Sequence, residues 1–302
     1  MFYLQILVKT LLSNISPNKN LLSTLYLNFK SFIKNLGFSY KNFNKIPKKI
    51  YKTTSSKSIF WTNALTHLRF INYFYNEKDI LKAPIIEIVA GGFLRKNNNF
   101  SNTQSGLLNK ITKDIVKNYN FLNFNSVYNW LEIYYHGILK FEKAGYSKEK
   151  IKNLSILEIG PGIGFNALIY QKMSDKNIFF YDFEEVTDIQ KKILNNFDNT
   201  IKNISFFNDA NLLEKDLIDQ EYFVISFWAF SEFNIEDRKK FERIIKNSKF
   251  SIFLSNKNFE NIENYNYFNE LSKKTNKTIQ VVPLKMNNQE NFTKTHKYFI
   301  LY

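Results

Sequence analysis

Three glycines, Gly160, Gly162 and Gly164, fall within five positions of a 302-residue chain that has only nine. They stand in residues 154–185, LSILEIGPGIGFNALIYQKMSDKNIFFYDFEE, with Pro161 among them. The apolar run before them reads as a strand, GFNALIYQKMS as a helix, and NIFFYDF as a second strand ending in acid. Glycine lets a backbone take left-handed angles and pass close to another group. A strand that feeds a helix N-terminus through such a turn suits a nucleotide-like ligand. The chain is therefore built on at least one strand–turn–helix–strand unit.

The alternation continues to the last residues given. SILEIG, NIFFYDF, ISFFND, YFVISFWAF, FSIFLSN, TIQVVPLK and KYFILY read as seven strands. Between them DIQKKILNNF, IEDRKKFERIIKNS and FENIENYNYFNELSKKT read as helices. Apolar β-rich runs separated by helices imply a largely parallel sheet covered on both faces. Only about ten polar residues separate the last two strands, so these pair as an antiparallel hairpin at one edge.

Charge divides the chain near residue 150. Residues 1–150 carry 22 Lys/Arg against 7 Asp/Glu, whereas residues 151–302 carry 20 of each. The whole net charge of +15 thus lies in the first half, and residues 1–60 hold ten lysines and no acid. Such asymmetry points to an anionic neighbour, either headgroups, a polyanion or a phosphorylated substrate. Leu4, Leu7, Leu11 and Leu12, then Leu21, Leu22, Leu25, Phe29, Phe32, Ile33 and Leu36, have helical spacing with lysines between them. These helices either lie on an anionic membrane or pack on the main domain with their lysines outward. Residues 56–81, with His67 and Arg69, read as another helix. Residues 106–150 read as two more, including the aromatic-rich SVYNWLEIYYHGILKFEKAG. The expected domains are a mostly helical, basic region at 1–150 and a ligand-binding α/β domain at 151–302.

The opening MFYLQILVKTLLSNI is broken by Lys9 and is shorter than the roughly 20 apolar residues a membrane span needs. It has neither a basic leader nor a small-residue cleavage site, so a cleaved signal is not expected. With no cysteine there are no disulfides, thiolate metal sites or cysteine nucleophiles. The expectation is a cytoplasmic protein, peripheral at the inner membrane if its basic helices bind lipid.

A dinucleotide fingerprint would read G-x-G-x-x-G, but position 165 is Phe. The spacing here is G-x-G-x-G with Glu158 two residues ahead. Asp182 ends the second strand, where a carboxylate accepts hydrogen bonds from both hydroxyls of a ribose. Read blandly, these are turn residues of an α/β scaffold without a ligand.

Residues 154–302 resemble a class I S-adenosylmethionine-dependent methyltransferase domain. The resemblance rests on the E-x-G-x-G-x-G turn, the acid ending strand two, Asp209 at the end of strand three, and two adjacent final strands. More narrowly, YDFEEV and VISFWAFSEFNIEDRKKF resemble segments of bacterial sugar O-methyltransferases of surface-polysaccharide biosynthesis. The resemblance implies a Rossmann-like seven-stranded class I methyltransferase fold, preceded by a mostly helical N-terminal region, with S-adenosyl-L-methionine as cofactor. It also implies a set of cofactor-binding residues. Glu158, Gly160, Pro161, Gly162 and Gly164 cradle the methionine end, with Ser226 beside it. Asp182 and Phe183 take the ribose, and Asp209 and Ala210 the adenine.

Methylation of a sugar hydroxyl needs a base for the hydroxyl proton. Glu232, just after strand four, is the first candidate. His296 before the last strand and His136 on the aromatic helix are the others. No aspartate–asparagine cluster suggests a metal. The residues after strand four, Ser226-Phe227-Trp228-Ala229, are not the Asn-Pro-Pro-Tyr type that accompanies N-methylation. The expected partner is a sugar or glycan, lipid-linked or nucleotide-linked, with no specific nucleic acid. Two other readings stay open: an RNA methyltransferase whose basic half grips phosphates, or a non-enzymatic basic binding protein with a Rossmann-like scaffold.

Overall fold

The apolar runs of the second half become strands with both faces covered. In the computed structural model these are β1 (Ser155–Ile159), β2 (Ile178–Tyr181), β3 (Ile204–Phe207), β4 (Tyr222–Phe227) and β5 (Ser251–Asn256). A ribbon of β6 (Asn258–Phe259) and β7 (Ile262–Glu263) follows, then β8 (Ile279–Pro283) and β9 (His296–Leu301). Every residue of β1, β2 and β4 is buried, as expected of strands inside a two-face-covered sheet. The structure describes residues 65, 68, 107–118, 124, 127–128, 131–134, 141, 145–171, 174, 176–195, 203–284 and 296–302. The expected helices within 1–50, and His67, Arg69 and His136, lie outside them. The chain divides into two compact units, Met1–Phe70 and Ile71–Tyr302. Leu65 and Leu68 in the first are buried helical residues. The sheet belongs to the second.

The seven-stranded sheet has the order β3-β2-β1-β4-β5-β9-β8. Pairings from β3 through β5 are parallel, and β9 runs antiparallel to both β5 and β8. The fold is thus mixed α/β and Rossmann-like, with the last two strands paired at one edge as the sequence implies. Strand order reverses between β1 and β4, the point where open α/β sheets leave a crevice for ligands. Because β9 is reversed, its first residue His296 pairs with Asn256 at the end of β5. It therefore reaches the same carboxyl edge as the glycine turn.

The helices whose bounds fall within the described residues are α1 (Leu107–Asn118), α2 (Lys148–Lys152), α3 (Asn166–Tyr170), α4 (Glu184–Asn195), α5 (Ala210–Leu217), α6 (Ile235–Lys239), α7 (Glu242–Asn247) and α8 (Asn264–Thr275). Described residues of the segment before β1 pack on this sheet. Tyr298 Oη donates to the Ile133 carbonyl at 2.9 Å, and the Phe141 ring lies 3.6 Å from that of Phe250.

Three local expectations are corrected, and one helix is added. Strand four stops at Phe227 because Trp228 takes φ +66°, which no strand accommodates. The helix expected over 235–248 is two short ones. Phe241 leaves helical register (φ −99°, ψ −6°) and packs its buried ring 4.7 Å from that of Tyr181. The helix expected from 259 begins at 264, after the β6–β7 ribbon, with the Glu263 carboxylate capping the Asn266 N–H. Helix α5 was not read from the sequence, although Asp209 is a strong N-cap residue.

Candidate functional site

The glycine turn sits at the reversal point of the sheet. Gly160, Gly162 and Gly164 have φ of +73°, +61° and +86°, left-handed angles that side-chain-bearing residues resist. The turn is tied down at both ends. Gly160 N–H donates to the Tyr181 carbonyl at 2.8 Å, and Gly164 N–H to the Pro161 carbonyl at 3.1 Å. Two of the glycines also answer to protein neighbours. A Cβ on Gly160 would lie 1.9 Å from Ala229 Cβ, and one on Gly164 would lie 3.1 Å from Leu194 Cδ1. The first close approach is therefore to the turn after β4, and the third to α4.

Two buried carboxyls flank this turn, and each meets an amide side chain eight residues later. Glu158 Oε1 accepts from Asn166 Nδ2 at 2.7 Å. Asp182 Oδ2 accepts from Gln190 Nε2 at 3.3 Å, and its Oδ1 from the Phe183 N–H at 2.9 Å. Gln190 Nε2 also donates to the Gly162 carbonyl at 2.6 Å, so one amide joins the glycine turn to the acid ending β2. Burial pushes the Glu158 carboxyl up to about 8, with Tyr170 and Asn166 holding it back and the Asp182 charge adding to the rise. Burial likewise pushes Asp182 up to about 8, against its hydrogen bonds from Phe183 and Gln190. By distance and angle, Glu158 Oε2 and the hydroxyls of Tyr170 and Tyr134 complete no hydrogen bond among the described residues. The Tyr170 hydroxyl faces Glu158, and the rings of Tyr134 and Tyr170 are 5.1 Å apart.

Other expected site residues are more engaged than the sequence suggests. Asp209 is exposed, and its Oδ1 caps α5 by accepting from Asn211 N–H at 2.7 Å and Leu212 N–H at 3.3 Å. Ala210 is the buried first residue of that helix. Phe183 is buried, with its ring 5.4 Å from that of Phe233. Ser226 is a strut. Its buried hydroxyl donates to the Ile159 carbonyl at 2.7 Å and accepts from the Phe230 N–H at 3.0 Å. Pro161 is buried within the glycine turn.

The turn after β4 carries Glu232 at the end of a short 3-10 segment, Ala229–Glu232. Trp228 opens it at φ +66°, a strain of about 1–3 kcal/mol that surrounding contacts must hold. Its N–H donates to the Leu254 carbonyl at 2.7 Å, and its carbonyl accepts from Ser231 Oγ at 2.6 Å. The indole lies edge-on to His296, with centroids 5.9 Å apart. The structure thus brings Trp228 and His296 together at the carboxyl edge of the sheet, on whose β4 side Glu232 follows. The residues that sequence reasoning missed are Asn166, Gln190, Ala229 and Arg238. An acid at or near a strand's end followed eight residues on by an amide in the next helix was a readable signal for the first two.

No protein-family profile and no curated protein matches the chain. Among solved structures, the chain is similar to the methyltransferase domain of bacterial CtHen1, with TM-score 0.43 and 11% identity over 54% of this chain and 96% of that one. It is also similar to a SAM-dependent methyltransferase from Aquifex aeolicus, with TM-score 0.39 and 14% identity over 65% of this chain and 98% of that one. A third is a precorrin-6y C5,15-methyltransferase from Geobacter metallireducens, with TM-score 0.37 and 13% identity over 51% of this chain and 84% of that one. At these identities the likeness is one of chain trace.

Proposed function

We propose that the chain is an S-adenosylmethionine-dependent methyltransferase that methylates a sugar hydroxyl. One observation carries the donor half of this reading. Three successive left-handed glycines lie at the reversal point of the sheet, joined through Gln190 to a buried acid at the end of the neighbouring strand. The residues fit the donor. In this reading Gly162 gives close backbone approach, Asp182 takes two ribose hydroxyls, and Glu158 Oε2, which completes no hydrogen bond among the described residues, is an acceptor for an ammonium N–H. When bound, the donor supplies a methyl group on a positively charged sulfonium. The raised carboxyls suit a cationic ligand, whose charge favours their ionised form.

The acceptor half rests on the turn after β4. Glu232 at the carboxyl edge takes the proton of the attacking hydroxyl, and Trp228 with His296 walls the same edge. The acceptor is a sugar on a lipid-linked or nucleotide-linked glycan, which the basic N-terminal region meets, with residues 1–50 contacting anionic membrane. Among the described residues no helix is long and apolar enough to cross a membrane.

Calorimetry with S-adenosylmethionine tests the donor. Saturable binding that Asp182→Ala abolishes supports it, and no binding, or wild-type binding by that variant, overturns it. Methyl transfer to a panel of nucleotide sugars tests the acceptor. Transfer to RNA with strong salt dependence would replace the sugar reading with the RNA one. Vesicles containing anionic lipid should retain the full chain and release one lacking residues 1–50.

A further inference from the structure

Arg238 is among the largest fully buried side chains of the described residues, with 0% exposure. No carboxylate among the described residues pairs with it in an ion pair. Its guanidinium instead spends its donors on backbone. Nε donates to the Phe233 carbonyl at 2.8 Å, and Nη2 donates to the Ser231 carbonyl. These two carbonyls belong to the residues on either side of Glu232. The guanidinium plane rests on the Tyr267 ring, 4.6 Å from its centroid, while Nη1 is buried without a partner. Burying a cation without a counter-ion is costly, and a chain needing only a filled interior would place an apolar residue here.

The arrangement has a geometric consequence. Anchoring the backbone before and after a residue restrains the direction in which its side chain leaves the chain. The clasp therefore aims Glu232 in a turn that begins at a strained tryptophan and abuts the glycine turn through Ala229. A planar, forked guanidinium is pre-organised to hold two carbonyls in fixed directions while lying flat on a ring; a compact ammonium on a flexible stem is not. Helix α6 supplies the lever. The Asn234 side chain caps it by accepting from the Asp237 N–H at 3.0 Å, and the Arg238 N–H returns to the Asn234 carbonyl at 3.1 Å.

We propose that Arg238 is a positioning residue that clasps the backbone on both sides of Glu232 and thereby aims its carboxylate at the acceptor hydroxyl. This rests on the reading of Glu232 as the base. The clasp acts on the acceptor side alone, so its loss should leave donor binding intact and slow the transfer step.

The test compares R238K, which keeps the charge, and R238M, which keeps the bulk; neither keeps the fork. Y267L, which removes the ring beneath the guanidinium and leaves Arg238 in place, serves if the first two do not fold. Donor affinity by calorimetry with S-adenosylmethionine is expected to stay within threefold of wild type. With the nucleotide sugar that accepts methyl, kcat should fall tenfold or more while the acceptor KM moves less than threefold. Adding E232Q to R238K should cause little further loss, because both changes disable one function. Full kcat in R238K or R238M, or multiplicative losses with E232Q, overturns the clasp. Joint loss of donor binding and kcat also overturns it, since that marks a general prop of the fold.

An acceptor-free readout separates this proposal from the functional reading. In protein labelled with carbon-13 at glutamate carboxyls, the signal missing in E232Q identifies Glu232. That signal should move in R238K and R238M, and the Glu158 signal should not. If wild type binds no S-adenosylmethionine the functional reading fails, whereas a Glu232 signal unmoved in both variants sinks the clasp itself.

Discussion

The Cβ that residue 160 lacks would sit 1.9 Å from the Cβ of Ala229, so the glycine turn and the turn after β4 touch with no room for one more carbon. Gly160→Ala adds a backbone penalty of about 1–2 kcal/mol for left-handed angles to this overlap. The variant should melt well below wild type and lose donor binding. Combining it with Ala229→Gly should recover the part due to overlap and leave the backbone part. Full recovery in the double variant would mean that the left-handed angle at 160 carries no cost.

Gln190 should matter to a ligand it has no need to touch. Its amide holds the Gly162 carbonyl at 2.6 Å and Asp182 Oδ2 at 3.3 Å. Gln190→Leu frees both and should weaken S-adenosylmethionine binding severalfold. Asp182→Asn, which replaces one acceptor oxygen by a donor and removes the charge, should cost tenfold or more, about 1.4 kcal/mol. Calorimetric titration of the two variants gives the ranking, and Gln190→Leu binding as well as wild type would contradict the linkage.

Acidity around the site sets a pH dependence whose sign is opposite to that of ordinary salt-bridged acids. Glu158 and Asp182 rise from 4.5 and 3.8 to about 8 in the folded chain, chiefly through burial. Below the lower values both states hold these protons and no difference arises. As pH climbs towards 8 the unfolded chain has released them while the folded one retains them, so stability declines across that window. The ligand-free melting temperature should therefore fall between pH 6 and 8.5. Donor affinity should rise over the same range, by up to about tenfold per pH unit for each proton released. Calorimetry in phosphate and in Tris should reveal that release, and buffer-independent heats would rule it out.

Ser226 is expected to behave as a strut between β1 and the β4 turn. Ser226→Ala leaves the buried Phe230 N–H unmet and frees the Ile159 carbonyl. A loss of about 1–3 kcal/mol in chemical denaturation follows from an unsatisfied buried donor. Donor affinity should change less than in Asp182→Asn; the reverse order would make Ser226 a direct ligand contact.

The sheet was readable in the sequence because its strands are short, apolar and β-branched or aromatic, and because the helices between them break the pattern cleanly. The glycine turn was readable because few residues other than glycine tolerate its angles. What stayed hidden was set by tertiary contact. Nothing local announces that Trp228 will turn left-handed and end β4, or that Phe241 will drop inward and split a helix. Arg238 reads as one more surface charge in IEDRKK until the structure turns it inward onto Ser231 and Phe233. Ser226 and Asp209 were legible as positions at strand ends, but their hydrogen bonds to Ile159 and to the α5 backbone were not.

The order of the strands bears on how the chain assembles during synthesis. Strand β9 is the last of the sheet to leave the ribosome, yet it lies between β5 and β8, and β8 has no other strand partner among the described residues. Until residues 296–301 emerge, the edge of β5 stays open and β8 has nowhere to dock. Closure of the sheet then depends on contacts distant in sequence, the slow kind. The exposed β5 edge in that interval is where a nascent chain would need protection from pairing with its neighbours.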